Sequence, residues 1–197
     1  MSRAELTRDA PIPKEWTVRE ARDAYLAENQ FTLEAYDAPR TGAAFLGFAF
    51  SVPNPPKHRW GIMLHDLHHV ATGYGTDVAG EGEVSAWELR RGLRNLGLYV
   101  GSLVVLGTMA GLMRAPLRTL RAFLASGGGR GSLFADVDER AYDELLALSV
   151  GELRARLGIP EGGLSRHRRG LHSLVREGGA PGQVEAGGDP LRPLASG

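Results

Sequence analysis

The chain has 197 residues, which is enough for one domain with a substantial hydrophobic core. Its 23 basic residues balance its 23 acidic residues, so no overall field favours nucleic acid or an anionic membrane. It has no cysteine, which excludes disulfides, iron–sulfur clusters and thiolate zinc sites and leaves histidines and carboxylates as metal ligands. Residues 1–13 are polar and charged without an apolar segment, so we expect no secretory signal and a cytoplasmic protein.

The apolar pattern favours helices along the chain. No segment shows a sustained period of two, which a half-buried strand would show. Capping boxes that begin at Thr17 and Ser149 predict two helix starts. We therefore expect an all-α, single-domain bundle of about six to eight helices over residues 1–160. Residues 161–197 are rich in Gly, Pro and Arg, and we expect them to be mostly disordered.

Further helices are predicted between these caps. Asn54, followed by two prolines, predicts a helix with Asn54 as its N-cap, which should run to about Thr72. The turn of residues 73–77 lets the next helix, which begins near Ala79 to Glu81, run back beside it. The apolar run of residues 44–52 predicts a buried helix or turn rather than a strand. The remaining helices are expected over residues 17–28, 31–36, 116–125, 138–148 and 149–157.

A stretch of 19 residues without a charge, residues 95–113, is flanked by arginines on both sides. Its length fits a membrane span. Its four glycines allow another helix to approach closely, in a membrane or in a protein. Three interpretations stay open: a membrane-spanning helix, a buried core helix, or a helix that lines an apolar lipid groove.

The densest group of potential metal ligands begins at His65. At about 100° per residue on a helix, His65, Asp66 and His69 share one face. Glu81, on the next helix, can complete a set of four ligands for a Zn²⁺-type ion, although a glutamate also suits the first turn of a helix because of the helix dipole. The opposite face of the first helix is apolar and predicts burial against a core; it consists of Trp60, Met63, Leu64, Leu67, Val70 and Ala71.

Three neighbouring residues are not expected to bind the ion. His68 lies at the edge of the ligand face, so we expect it to support the ligands or to face a substrate. Glu88 shares a helix face with Glu81 but lies about 10.5 Å further along the axis, which is too far to share the ion. Glu83 points away from that face.

Several enzyme classes use similar strings of residues. The chain has six histidines, too few for the several histidine boxes of membrane desaturases and hydroxylases. Phosphohydrolases of the His-Asp type need another histidine upstream, and none precedes His58. Ferritin-like di-iron proteins need two Glu-x-x-His sets, and one comparable set is present. The string H-D-x-x-H also resembles the H-E-x-x-H of zinc proteases with a shorter general base, so a zincin-like hydrolase stays open.

The full spacing H-D-x-x-H-x11-E, formed by His65, Asp66, His69 and Glu81, resembles the signature of the coenzyme Q (ubiquinone) biosynthesis protein family known as Coq-four. The loop of residues 72–77 with Gly80 and Glu81, and the helix of residues 152–159, are also similar to that family. The resemblance implies an all-helical fold, a divalent ion (Zn²⁺, or Fe²⁺ or Mn²⁺) held by the four motif residues, and a groove for polyprenyl lipids.

The resemblance also implies function and partners. Family members are regarded as organisers of a quinone-synthesis complex and as catalysts that replace the C1 carboxylate of a polyprenyl-benzoate ring by hydroxyl. Two functions therefore stand beside the hydrolase: a metal-dependent oxidative decarboxylase, and a non-catalytic lipid-binding scaffold with a structural ion. The expected partners are a polyprenyl lipid or quinone precursor, other quinone-biosynthesis proteins, the inner face of a membrane and a second copy of the chain, but no nucleic acid.

Overall fold

The structure, a computed structural model, describes residues 11–45, 48–127, 131–135 and 139–166, and this part of the chain is mostly helical. The prediction of an all-α domain is confirmed. Two short 3₁₀ turns, Leu33–Asp37 and Leu133–Ala135, lie between the longer elements. In chain order the longer elements are α1 (Val18–Glu28), β1 (Arg40–Phe45), β2 (Phe48–Pro53), α2 (Pro56–Thr72), α3 (Val78–Arg91), α4 (Gly97–Arg114), α5 (Pro116–Ala125), α6 (Glu139–Ala147) and α7 (Val150–Leu157).

Both predicted capping boxes are confirmed. The Thr17 hydroxyl accepts from the Glu20 N–H at 3.2 Å, and the Glu20 carboxylate accepts from the Thr17 N–H at 2.9 Å. Ser149 and Glu152 repeat this exchange at 3.1 Å and 2.7 Å. The two caps pair with each other through an isolated β-bridge, so the first and last helices begin side by side.

The prediction of a buried helix or turn over residues 44–52 is wrong. Strands β1 and β2 form an antiparallel hairpin, in which Arg40 lies opposite Pro53 and Phe45 lies opposite Phe48. Phe48, Phe50 and Val52 recur at a spacing of two, which is a strand signal that is short enough to be mistaken for one face of a buried helix.

The prediction that Asn54 caps α2 is also wrong. Pro55 occupies the N-cap position, and the helix begins at Pro56. The Asn54 side-chain amide instead donates to the carbonyls of Tyr36 and Ala38, at 2.9 Å each. Asn54 therefore ties the end of the hairpin to the first 3₁₀ turn through the two N–H donors of its amide.

Helix α2 lies at the centre of the domain. Its predicted apolar face is buried, with Leu64, Leu67 and Ala71 in a core to which every other helix contributes and Val70 packed against α1. Trp60 and Met63 are partly buried at the edge of this core. Because one face of α2 is anchored in this way, the orientation of its ligand face is determined by core packing.

Helix α4 packs closely on α3. A Cβ atom on Gly82 of α3 would overlap the backbone of Gly111 of α4, and a Cβ atom on Gly111 would overlap the backbone of Gly82. Glycine at both positions lets the two backbones touch. Only 28% of the residues of α4 are buried, so the interpretation as a buried core helix is wrong. Within the described residues it is the one helix long and apolar enough to cross a membrane.

The first residues of the predicted tail pack on the domain. The backbone N–H groups of Leu164 and Ser165 donate to the Thr72 carbonyl at 2.7 Å and 3.0 Å. The buried Arg154 guanidinium donates to the carbonyls of Glu161 and Ile12. Residues 167–197 lie outside the described residues, so disorder there stays a prediction.

We expect Gly111→Ala to lower the free energy of unfolding by about 2 kcal/mol or more, because the new methyl group is forced against the backbone of α3. Gly101→Ala on the same helix is the control. Its Cβ would lie 3.7 Å from Leu93, an ordinary contact, so this variant should be neutral or more stable by up to about 1 kcal/mol. Urea unfolding followed by circular dichroism distinguishes them, and equal stability of the two variants would contradict the packing described above.

Candidate metal centre

Three of the four predicted ligands converge on one point. His65 and His69 lie one turn apart on α2, and Glu81 lies in the first turn of α3. The two Nε2 atoms are 3.1 Å apart, and Glu81 oxygens lie 3.2 Å from Nε2 of His65 and 3.5 Å from Nε2 of His69. Two nitrogens bound to one tetrahedral zinc at about 2.0 Å would lie about 3.3 Å apart. The group of His65, His69 and Glu81 could therefore hold a metal ion.

The turn between α2 and α3 brings Glu81 to this point. Gly73 ends α2 in the left-handed region with φ of 78°, a conformation that glycine adopts without strain. Asp77 then caps α3, and its carboxylate accepts from the Gly80 N–H at 2.8 Å. A Cβ atom on Gly80 would overlap the backbone of Gly75, so the loop can fold tightly against the helix start. The predicted reversal of the chain over residues 73–77 is confirmed.

The hydrogen bonds of both histidines direct Nε2 towards the site. Nδ1 of His69 lies 3.0 Å from the Tyr74 carbonyl, which can only accept, so we assign the proton to Nδ1. Nδ1 of His65 lies 2.8 Å from a carboxylate oxygen of Glu88 and is likewise assigned as a donor. A metal-binding imidazole needs such a partner on its other nitrogen, because that partner determines the tautomer and the ring orientation.

Asp66 lies beside the group of three but does not belong to it. Its carboxylate accepts hydrogen bonds from the Tyr36 hydroxyl and, at 3.4 Å, from the Tyr25 hydroxyl. Burial raises the pKa of Asp66, against the hydrogen bond from Tyr36, which favours the charged form. The Tyr25 ring also stacks on His69, with ring centres 5.5 Å apart. The prediction that Asp66 is a ligand stays a prediction.

His68 lies behind the ligands. It is fully buried, its Nδ1 lies 2.7 Å from Glu88, and its Nε2 accepts from the Leu133 N–H at 3.1 Å. Its ring contacts Trp87 and Phe134. Of the two roles expected for His68, this buried position fits support of the ligands, since His68 does not line the cavity that opens beside them.

Sequence reasoning missed Glu88. The separation from Glu81 along the helix axis excluded it as a ligand of the ion, but an imidazole has a second nitrogen on its far side. Glu88 reaches His65 through that nitrogen. The available signal was the spacing of seven residues, which places both glutamates on one face of α3. Glu83, which was expected to point away, pairs with Arg118 at 2.6 Å.

The charges at the site are coupled. Burial alone would lower the pKa of His65, but the charges and hydrogen bonds of Glu88 and Glu81 raise it well above its usual value. Burial alone would raise the pKa of Glu81, but His69 and His65 lower it below its usual range. Burial alone would also raise the pKa of Glu88, but His65 and His68 lower it to about 2. Without a metal ion, the two carboxylates therefore favour the doubly protonated, charged form of His65.

A cavity of about 430 Å³ opens beside the ligands. His65, Asp66 and Glu81 contribute polar side chains to its wall. The wall is mostly apolar and comes from α1 to α4, the hairpin and the two 3₁₀ turns. This volume falls in the range of ligand-binding pockets. Apolar residues of the wall include Phe31, Ile62, Val100, Leu103, Val104 and Leu106.

No protein-family model matches this chain, and comparisons with curated proteins and with solved structures found no match either. The resemblance to the Coq-four family therefore stays a prediction.

We expect metal binding to weaken as the pH falls from about 8 to 6, by on the order of tenfold per pH unit below the pKa of His65. The sign follows from the raised pKa of His65, since an incoming metal ion must displace the proton from Nε2. Titration calorimetry in two buffers of different ionisation enthalpy should show release of about one proton per metal ion near neutral pH. His58→Gln is the control and should keep the pH dependence of the wild type, because His58 bonds to the Pro53 carbonyl and lies outside the group of three. An affinity that does not change with pH would contradict the assigned ligands.

Proposed function

We propose that the protein binds a divalent metal ion together with a polyprenyl lipid whose aromatic head group is that of a quinone precursor. The observation that carries the proposal is that the metal centre and the apolar cavity share residues: His65 and Glu81 belong to both. A ligand in this cavity meets the polar side chains of the metal centre and a wall that is mostly apolar. An amphiphile with a small polar head and an apolar tail matches that division.

The ligand set supports a reactive rather than a purely structural ion. Structural zinc sites are closed by four protein ligands, whereas catalytic sites keep a position for water or substrate. His65, His69 and Glu81 supply three ligands and leave the cavity side for a fourth. Two imidazoles and one carboxylate bind Zn²⁺ in hydrolytic enzymes and Fe²⁺ in oxygenases. We propose Zn²⁺, with Fe²⁺ and Mn²⁺ as alternatives that elemental analysis distinguishes.

The wall formed by α4 supports binding of an isoprenoid tail. Val100 and Val104 are buried and Leu103 and Leu106 also line the cavity, so apolar side chains follow one another along the helix. Each CH₂ group that leaves water there contributes about 0.8 kcal/mol. Leu106 is also 43% exposed, so a tail longer than the cavity can continue along the outer surface of α4. This favours the interpretation of residues 95–113 as a helix that lines a lipid groove.

The reaction that we propose is replacement of a ring carboxylate by hydroxyl, with molecular oxygen as oxidant. One molecule of the benzoic acid and half a molecule of O₂ give one phenol and one CO₂, which balances atoms and electrons. The ion would stabilise negative charge on the ring carboxylate or phenolate as a Lewis acid. Asp66 lines the same cavity, where hydrogen bonds from Tyr25 and Tyr36 hold its carboxylate.

The hydrolase alternative is less well supported. In zinc proteases the carboxylate of the H-E-x-x-H motif must be free to take a proton from water. Both oxygens of Asp66 instead accept hydrogen bonds from tyrosines. A lipid-binding scaffold uses the same cavity and differs only in lacking turnover, so the two remaining functions are distinguished by assay.

We also propose that the outer surface of α4 and α5, here called the α4–α5 face, docks on a membrane. Its exposed apolar residues lie next to the exposed side chains of Arg114 and Arg121. Apolar residues beside cations suit insertion among the head groups of anionic lipids. Such docking would allow a polyprenyl lipid to pass between bilayer and cavity. The apolar residues of this face are Leu98, Val105, Met109, Leu112, Met113, Leu117, Leu120 and Leu124.

We expect Val104→Phe to weaken binding of a polyprenyl hydroxybenzoate by about tenfold or more, because the larger ring fills space that the tail needs. Ser102→Phe on the same helix is the control, since Ser102 is exposed and does not line the cavity. Mass spectrometry of extracted lipid and titration with added lipid give the measurement, and metal content should stay equal in both variants. Equal lipid affinity of the two variants, or no lipid binding by the wild type, would refute the lipid assignment.

Turnover is tested on the same metal-loaded protein under air. The decarboxylase predicts CO₂ and the phenol in equal amounts, and it predicts loss of both in His65→Ala while lipid binding persists. Lipid binding without CO₂ release in the wild type would identify the scaffold instead. Chelator-sensitive cleavage of esters or peptides would favour the hydrolase.

We expect Leu117→Asp to reduce binding to vesicles that contain anionic lipid by about tenfold or more, because a charge replaces an exposed apolar side chain on the α4–α5 face. Leu33→Asp is the control, since Leu33 is also exposed but lies on the first 3₁₀ turn. Vesicle flotation measures binding. Unchanged flotation together with loss of self-association in sedimentation would show that a second copy of the chain covers this face.

A further inference from the structure

Glu88 is a fully buried carboxylate with unusual partners. A single oxygen, Oε1, lies 2.8 Å from Nδ1 of His65 and 2.7 Å from Nδ1 of His68. Within the described residues its ion pairs are with these two histidines, and neither lysine nor arginine joins them. Removing a carboxylate from water is costly unless a cation compensates for its charge.

In the metal-bound protein, where the histidines are neutral, the divalent ion would provide that compensation. It would bind Nε2 of His65, and the polarised imidazole would transmit part of its charge to the Nδ1–H group that donates to Glu88. With neutral histidines, the charges of Glu81 and Glu88 together balance a charge of +2. The burial of Glu88 is therefore consistent with a cation on the far side of the His65 ring.

His68 keeps Glu88 in place. The Leu133 N–H donates to Nε2 of His68, so Nδ1 carries the proton and donates to Glu88. The His68 ring packs against Trp87 and Phe134, with ring centres 5.1 Å and 4.9 Å away. The Leu133 backbone amide thus determines the tautomer of His68. His68 in turn holds the Glu88 carboxylate, which accepts the hydrogen bond from Nδ1 of His65.

We propose that Glu88 is a positioning residue of the metal centre, which holds His65 with Nε2 directed at the ion and makes it a stronger ligand, while His68 holds Glu88. This inference rests on the metal-binding part of the proposed function and adds two residues to the H-D-x-x-H-x11-E pattern. It does not depend on the identity of the lipid or on turnover.

The test compares two buried glutamates of α3, Glu88→Gln and Glu83→Gln. Glutamine keeps the shape of the side chain and removes the charge. Because loss of a hydrogen-bonding partner of a metal-bound histidine costs on the order of 10 to 100-fold in affinity, Glu88→Gln should bind Zn²⁺ more weakly by that factor. Glu83 pairs with Arg118 and contacts no ligand, so Glu83→Gln should bind Zn²⁺ as the wild type does. Competition with a chromogenic chelator measures both affinities.

A spectroscopic measurement separates positioning from general stability. In zinc-loaded, ¹⁵N-histidine-labelled wild-type protein, NMR should show Nδ1–H on both His65 and His68. The His65 Nδ1–H signal should move upfield in Glu88→Gln and stay in place in Glu83→Gln, because a neutral amide accepts a weaker hydrogen bond than a carboxylate. The wild-type spectrum alone still tests the proposal if Glu88→Gln does not fold.

Three results would overturn the inference: equal zinc affinity of the two variants, a His65 that carries its proton on Nε2 in the zinc-loaded protein, or no metal binding by the wild type. The last would also remove the proposed function. Zinc binding that depends on Glu88, in a protein that binds no polyprenyl lipid, would leave this inference standing while the lipid part of the proposed function failed.

Discussion

The backbone contact between α3 and α4 at Gly82 and Gly111 is the constraint on which both the metal centre and the cavity depend. It lies one residue after Glu81, so it sets how deeply the start of α3 sits in the domain. It also determines where α4 runs, and α4 forms one wall of the cavity. Any side chain at either glycine would separate the helices, and the ligand-bearing helix would then move away from the lipid-facing one.

Helix α2 combines two environments on opposite faces. Its apolar face is anchored by Leu64, Leu67 and Ala71 in a core shared with the other helices. Its polar face turns His65 and His69 towards α3. Because the apolar face is closely packed, both histidines start from defined backbone positions on the opposite face. The remaining adjustment, the choice of tautomer, comes from Glu88 and from the Tyr74 carbonyl.

The elements that sequence reasoning predicted correctly are governed by local chemistry. The two capping boxes close within four residues, and the apolar face of α2 follows from its periodicity. The elements that it mispredicted depend on distant partners. Residues 40–45 and 48–53 form antiparallel strands because the two segments pair with each other. Asn54 does not cap α2 because the carbonyls of Tyr36 and Ala38 take its amide.

The sequence by itself determined the helical class, the caps and the residues that could bind a metal, because residue type and spacing along one helix decide which side chains share a face. Only the tertiary structure decided that His65, His69 and Glu81 meet, that tyrosines hold Asp66 and that Glu88 supports His65. Only it showed that α4 is buried on one face and lines a cavity on that side. These features depend on how far α3 approaches α2 and α4, and that distance is set by side-chain volumes at crossing points far apart in the chain.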